Sequence, residues 1–377
     1  MLGFLTLFVT VYLLMHGYLF FHARRSLGYG RGVTIATVFF SLIMTLTPVL
    51  VRLAENSGLE IPARILAWTG YTWMGLLFLF VAVAAFYDVA ALLKVFFLSL
   101  AKKPFAMPPS YRRKRFLVQV VLVLLFYGYG MYEAGNIRTV HVTIASPEIS
   151  SRVGRFRVAQ ISDVHLGLLV REKRLARILE KIVEASPDLV VSTGDLVDGQ
   201  LDDLSGVEQM LGELNPPFGK LAVTGNHEFY AGIDQSLDFT ERAGFMVLRN
   251  EAITVNGVAF VGVDDRTAER FGDPPEQSER ELLRRQNRNM FTVLLKHRPV
   301  VDPESVGLFD LQLSGHAHKG QIFPFNVFTW LAFRYPAGIN MLASGYLYVS
   351  NGSGTWGPPI RFLAPPEVTI IDLVPGG

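Results

Sequence analysis

Five short apolar runs in the second half of this 377-residue chain each end in residues able to ligate a metal. Residues 156–161 lead into Ser162-Asp163-Val164-His165. Residues 189–192 lead into Gly194-Asp195, with Asp198 three positions on. Residues 221–223 precede Gly225-Asn226-His227-Glu228, residues 291–295 precede Lys296-His297, and residues 311–313 precede Gly315-His316-Ala317-His318. Five of the eight histidines fall in these clusters. A lone histidine is more often a satisfied structural residue, and one Asp-x-His is a weak signal. Five such clusters in succession are not coincidence. Imidazole and carboxylate together suit Mn, Fe or Zn, whereas all-oxygen sites suit Mg or Ca. Two such ions about 3.5–4 Å apart share a carboxylate, activate water and clamp a phosphoryl group.

The runs before these clusters must be strands for the clusters to meet, because sites in layered α/β proteins gather at the carboxyl ends of strands. Their buried, continuous apolar character fits strands. Residues 170–185 form a helix by the spacing of Leu175, Ile178, Leu179, Ile182 and Val183, and Ser186-Pro187 ends it. A strand–helix–strand unit thus separates the first two clusters.

The order Asp-x-His, Gly-Asp-x-x-Asp, Gly-Asn-His-Glu, His, Gly-His-x-His resembles the calcineurin-like metallophosphoesterase superfamily over residues 140–377. Gly315-His316-Ala317-His318-Lys319-Gly320-Gln321 and Tyr348-Val349-Ser350-Asn351-Gly352 further resemble the bacterial branch with the YkuE-like enzymes and UDP-2,3-diacylglucosamine diphosphatases. The resemblance implies an α/β fold, an αββα sandwich, and a site for two divalent ions. It implies that Asp163, His165, Asp195 and His318 hold one ion. Asp195, Asn226, His297 and His316 would hold the other, with Asp195 bridging. His227 would steady a phosphoryl oxygen or protonate the leaving group, work suited to imidazole. Asp198 and Glu228 would orient ligands or loops. The implied reaction is hydrolysis by metal-activated water with no covalent enzyme intermediate. One departure is Arg298, between His297 and Pro299, where the superfamily usually has a small or polar residue. It has two readings: a contact to substrate phosphate, since guanidinium forks match phosphate oxygens, or a solvated surface residue. No ligand position is missing, which argues against a binding-only sensor or scaffold.

The front of the chain has a different solvent. Half the residues are hydrophobic, 18% are charged, and the mean hydropathy is +0.32, which excludes a disordered chain. Through Arg138 there are 13 Lys/Arg against 4 Asp/Glu, and beyond it 22 against 29. Residues 2–21, 33–51, 65–87 and 116–132 approach the ~20 apolar residues of a spanning helix. They define a transmembrane region over residues 1–135, with Tyr127, Tyr129 and Tyr132 suiting an interfacial belt. No basic residue precedes the first run, so a cleaved signal peptide is not expected. Arg24, Arg25 and Arg31 mark the first loop. Lys102, Lys103, Arg112, Arg113, Lys114 and Arg115 mark the third, in a stretch interrupted by Pro104, Pro108 and Pro109. Positive loops stay cytoplasmic, so the expectation is a multi-pass protein of the cytoplasmic (inner) membrane with its catalytic domain outside. Arg112-Arg113-Lys114-Arg115-Phe116-Leu117 also resembles a twin-arginine export signal, which gives the same topology. His16 reads as a hydrogen-bonding partner of a neighbouring helix. Asp88 and Lys94 read as markers of where the third helix leaves the bilayer, with Lys94 snorkelling.

The chain has no cysteine, so disulfides, thiolate metal sites and cysteine nucleophiles are excluded. The acidic second half, with no long basic stripe, excludes nucleic acid as a partner. Residues 322–349 are rich in Phe, Tyr, Leu and Trp, with Arg334 the single charge. They are either core strands or an apolar surface that meets the bilayer or an acyl chain. Residues 264–289 are polar and solvated, with Asp264 or Asp265 near the site. The expected partners are therefore the lipid bilayer and a phosphorylated lipid, lipid-linked sugar nucleotide or other small molecule. A phosphodiesterase for soluble nucleotides or metabolites is the alternative.

Overall fold

The computed structural model describes residues 2–102, 109–151, 154–199 and 204–376. The expectations for Lys103, Pro104 and Pro108 lie outside the described residues. The chain divides into two compact units: Met1–Met131 with Gly357–Ile360, and Tyr132–Trp356 with Arg361–Gly377.

Helices α1 (Leu2–Leu27), α2 (Arg31–Asn56), α3 (Glu60–Leu100) and α4 (Pro109–Gly135) are long and apolar enough to cross a membrane. All four outrun the apolar stretches in the sequence, because a helix continues through charged residues that a hydropathy window rejects. One expectation, that of the third loop, needs correction. Helix α3 has 41 residues, about 60 Å at 1.5 Å per residue, and Asp88 and Lys94 lie within it. Residues 89–100 contain no Gly or Pro and are mostly Ala, Leu, Val and Phe, which sustains the helix. Helix α4 begins at Pro109, a residue tolerated in a first turn, so Arg112, Arg113, Lys114 and Arg115 are helical and not in the loop. His16 does bond its neighbours: Trp73 Nε1 donates to its Nε2 at 2.9 Å, and Thr45 Oγ1 lies 3.4 Å from its Nδ1.

The second unit opens with β1 (Arg138–Ser146), β2 (Phe156–Ile161), α5 (Glu172–Ala185), β3 (Leu189–Ser192), α6 (Ser205–Gly212) and β4 (Lys220–Ala222). It continues with α7 (Asn226–Ala231), α8 (Ile233–Arg242), β5 (Met246–Val247), β6 (Glu251–Val255), β7 (Val258–Gly262), α9 (Thr267–Arg270) and α10 (Glu279–Arg284). It closes with β8 (Thr292–Leu295), β9 (Leu311–Ser314), α11 (Phe325–Ala332), β10 (Gly338–Met341), β11 (Tyr346–Val349) and β12 (Glu367–Pro375). One sheet has the order β1-β12-β2-β3-β4-β5 and the other β10-β11-β9-β8-β7-β6. Strands β2, β3 and β4 are mutually parallel, as are β7, β8 and β9.

Alternation along the strands builds the layers. Phe156, Val158, Leu189 and Val191 of the first sheet meet Phe260, Val293, Leu295 and Leu313 of the second in one core. The opposite face of the first sheet, with Ala159, Ile161 and Val190, packs on Leu175, Ile178 and Ile182 of α5 and on Val207 of α6. The outer face of the second, with Val261 and Leu294, packs on Leu282 and Leu283 of α10. The result is the four-layer αββα arrangement, with the ends of β2, β3, β8 and β9 turned to one edge.

Candidate metal centre

The turns after those strands carry the site. Asp163, His165, Asp195, His316 and His318 all have positive φ, between 47° and 68°. Each such non-glycine residue costs about 1–3 kcal/mol and persists where surrounding contacts fix it. Two glycines make the approach possible. A Cβ on Gly315 would lie 1.9 Å from Ser162 Oγ and 2.2 Å from Asp163 Oδ2. A Cβ on Gly225 would lie 2.1 Å from Asp195 Oδ1.

Three groups of donor atoms result: Asp163, His165 and His318; His165, Asp195 and His227; Asp195, His297 and His316. Asp195 is common to the last two and His165 to the first two. His165 Nε2 and His318 Nε2 are 3.1 Å apart, and His318 Nε2 is 3.2 Å from Asp163 Oδ1. His316 Nδ1 and His297 Nε2 are 3.1 Å apart, and His297 Nε2 is 3.1 Å from Asp195 Oδ2. Donors of one ion held by bonds of about 2.1 Å stand at such separations. Asn226 is joined to the second group through Arg298, whose Nη2 lies 3.3 Å from Asn226 Oδ1.

The electrostatics fit divalent cations equally well. Burial drives His165 down to about 4 and His316 to about 3, and with Arg361 it holds His318 far below its usual value. These imidazoles are neutral and present lone pairs. Burial also opposes ionisation of Asp195, but His297 and His227 outweigh it and keep the carboxylate charged. Burial would lower His297 and His227 too, yet Asp195 outweighs it and raises them to about 10 and about 9. Without an ion, two protonated histidines supply the positive charge the buried carboxylates require. Divalent ions would supply it in their place.

The remaining residues hold this set. Asp163 accepts from Ser162 Oγ at 2.6 Å and from His316 N at 3.0 Å. His297 Nδ1 donates to Thr193 O at 2.8 Å. His227 Nδ1 donates to Asp198 Oδ1 at 2.9 Å, and its ring meets Trp356 edge-on. Glu228 accepts the amides of Gly225 (2.6 Å), Leu196 (2.8 Å), Asp195 (3.0 Å) and Val197 (3.3 Å), tying two loops together. Arg298 is not a freely solvated side chain. Its Nε and Nη2 bond Asp265 at 2.6 and 3.2 Å, and its Nη1 lies 2.9 Å from His316 Nε2. Asp265 is thus the acidic residue of the 264–289 excursion that reaches the site, while Asp264 pairs with Arg249.

Sequence reasoning missed Arg361. It is fully buried and bonds the carbonyls of Gly354 (2.6 Å), Asn351 (2.7 Å) and His318 (3.0 Å), with Nη2 3.1 Å from His318 Nδ1. Its signal was its isolation: between Lys319 and Glu367 the only charges are Arg334 and Arg361. The 322–349 stretch is not core throughout. Helix α11 has no buried residue, with Trp330 and Leu331 each 69% exposed. It starts against the turn that carries His318, where a Cβ on Gly320 would lie 2.4 Å from Asn326 N. Just past it, the Phe333 ring meets the His316 ring edge-on at 5.7 Å.

Residues 156–320 match the calcineurin-like phosphoesterase family, an interval that contains every clustered histidine and aspartate above. The chain is 41% identical over 256 residues to an uncharacterized metallophosphoesterase of Aquifex aeolicus (strain VF5), covering 67% of this chain and 97% of that one. It is 33% identical over 263 residues to the uncharacterized metallophosphoesterase YkuE of Bacillus subtilis, covering 66% and 89%. It is 28% identical over 277 residues to a Danio rerio protein named transmembrane protein with metallophosphoesterase domain, covering 70% of this chain and 63% of that one.

Proposed function

Because this chain belongs to the calcineurin-like phosphoesterase family, we propose that it is a membrane-anchored di-metal hydrolase acting on a phosphorylated lipid or lipid-linked sugar nucleotide. The ligand sets are Asp163, His165, Asp195 and His318 for one ion and Asp195, Asn226, His297 and His316 for the other. Two divalent ions there lower the pKa of water and offset phosphoryl charge. The chain's own residues do the rest. Asp198 fixes the His227 ring through Nδ1, which leaves Nε2 to steady a phosphoryl oxygen or pass a proton to the leaving oxygen. Arg298, braced by Asp265, presents a fixed cation beside His316 and Asn226.

The observation that carries the lipid reading is the apolar surface next to these residues. Phe328, Trp330 and Leu331 are exposed on α11, which begins five residues after Gly320. An acyl chain laid across them removes their surface from water, about 1.5–3 kcal/mol for each large side chain fully covered. The test compares the full chain with a Phe328→Ser/Trp330→Ser variant in detergent. The substrates are a diacylglycerol phosphate and water-soluble glycerol phosphate. The variant should lose about a hundredfold or more in kcat/KM on the lipid and stay within twofold on the soluble ester. Equal loss on both, or wild-type preference for the soluble ester, would refute the lipid reading and favour soluble metabolites.

The basic residues Arg24, Arg25, Arg31, Arg112, Arg113, Lys114 and Arg115 support a topology with the catalytic unit outside the cytoplasm. With no native cysteine, Ser205→Cys should react with a membrane-impermeant thiol reagent in intact cells and Ser110→Cys should not. The reverse pattern would place the site inside and make a nucleotide-linked lipid such as UDP-diacylglucosamine the leading substrate.

A further inference from the structure

The helical unit has an open pocket of about 490 Å³ between α1, α3 and α4. Arg25, Arg112, Arg115, His22, Asp88 and Gln119 line it. This places three guanidiniums around a single carboxylate.

The carboxylate is fully engaged. Asp88 accepts from Tyr18 OH at 2.5 Å, from His22 Nε2 at 3.2 Å and from Arg115 Nη2. Those contacts hold Arg115 in place and leave its Nε without a partner. Arg25 and Arg112 form no ion pair among the described residues and are exposed, so both can meet an anion at the mouth of the pocket. Gln119 is the second, independent observation. It lies one turn beyond Arg115 on α4 and is 1% exposed, yet neither its amide nitrogen nor its amide oxygen has a partner among the described residues. Buried side-chain amides are nearly always satisfied. Gln119 lines the pocket with both amide atoms covered at its wall.

The space far exceeds the ~30 Å³ share of a single water. Waters would satisfy the amide but bring no negative charge to the three guanidiniums. A phosphate answers both needs. Its oxygens accept from the Gln119 amide N–H, from Arg115 Nε and from the forks of Arg25 and Arg112. The Gln119 carbonyl then calls for a hydroxyl on the same ligand. Basic residues at helix ends of this kind are where anionic headgroups collect.

We propose that this cavity is a binding site for an anionic phosphate, delivered by a membrane lipid whose headgroup also carries a hydroxyl. The site lies wholly in the helical unit and does not depend on which bond the metal centre cleaves.

The test uses the full chain, purified in non-ionic detergent and stripped of lipid. It is titrated by thermophoresis with short-chain phosphatidylglycerol, short-chain phosphatidylcholine and inorganic phosphate. Phosphatidylglycerol should bind at least tenfold more tightly than phosphatidylcholine. Arg112→Ala and Gln119→Leu should each weaken it about tenfold and leave phosphatidylcholine unchanged. Arg112 is exposed, so its variant tests the site even if Gln119→Leu does not fold. Lipid-free Gln119→Leu should melt no lower than wild type, because it removes an unpaired amide. Inorganic phosphate that binds as tightly as the lipid, with the same losses in the variants, would uphold the phosphate site and overturn the lipid as its source. Phosphatidylglycerol affinity unchanged in both variants, or no preference over phosphatidylcholine, would overturn the site itself.

Discussion

Gly315→Ala is a single methyl placed against the metal centre. The new Cβ would meet Ser162 Oγ at 1.9 Å and Asp163 Oδ2 at 2.2 Å. The atoms must retreat by about 1.5 and 1.2 Å to reach ordinary contact, and overpacking of this kind costs about 1–3 kcal/mol. Neither atom has room. Ser162 and Asp163 are fully buried, and Asp163 is held by Ser162 Oγ and His316 N. The retreat therefore moves the Asp163 carboxylate and, through His316 N, the turn that carries the two terminal histidines. A misplacement of about 1 Å can cost about a hundredfold in rate. We expect phosphate release to fall about a hundredfold and metal affinity at the Asp163, His165 and His318 group to weaken at least tenfold. The melting temperature should drop by about 2–12 °C, at about 2–4 °C per kcal/mol for a domain of this size. Gly212→Ala, where nothing lies within 4 Å of the added Cβ, is the control. The assay pairs phosphate release with metal titration on the full chain. A Gly315→Ala protein within twofold of wild type in both would refute the packing argument.

Two further substitutions test the groups around the ligands. Asp198 helps raise His227 to about 9, so in chelator the stability from that imidazolium is complete below about pH 6.5 and is lost as pH rises through about 9. Asp198→Asn should move that loss to lower pH in a melting-temperature series; an unchanged profile would show that Asp195 and Glu228 hold the proton without it. Arg361→Met leaves the buried carbonyls of His318, Asn351 and Gly354 without their donor. At about 3–5 kcal/mol for breaking such a buried charged network, the catalytic unit should melt about 6–20 °C lower by scanning fluorimetry. A shift below 2 °C would contradict the role given to Arg361.

What could be read from the chain was local. Ligand-bearing turns directly follow the apolar runs 156–161, 189–192 and 311–313, so strand and chemistry lie within a few residues of each other. What could not be read depends on distant partners. Strand β12 lies between β1 and β2, pairing Ile370 with His141 and with Ala159, and no periodicity announces that insertion. Arg298 looked ambiguous because Asp265, its brace, comes from a loop 33 residues away. The contacts of Asp88 could not be foreseen because its partners Tyr18, His22 and Arg115 belong to other helices. Residues 322–349 defeated pattern reading for another reason: an exposed apolar helix and a buried strand have the same composition, and only burial separates α11 from β11.

The central claim is that one carboxylate, Asp195, joins two metal sites that hydrolyse a phosphoester. The most direct test strips the full chain with chelator, reloads it with Mn²⁺ or Zn²⁺, and measures metal per chain by mass spectrometry beside phosphate release. The account predicts two ions per wild-type chain and no turnover in chelator. Asp195→Asn should retain at most one ion and lose at least a thousandfold in rate, as expected when the shared ligand of a two-metal centre is removed. Full hydrolysis in chelator, or an Asp195→Asn chain with two ions and wild-type turnover, would contradict it.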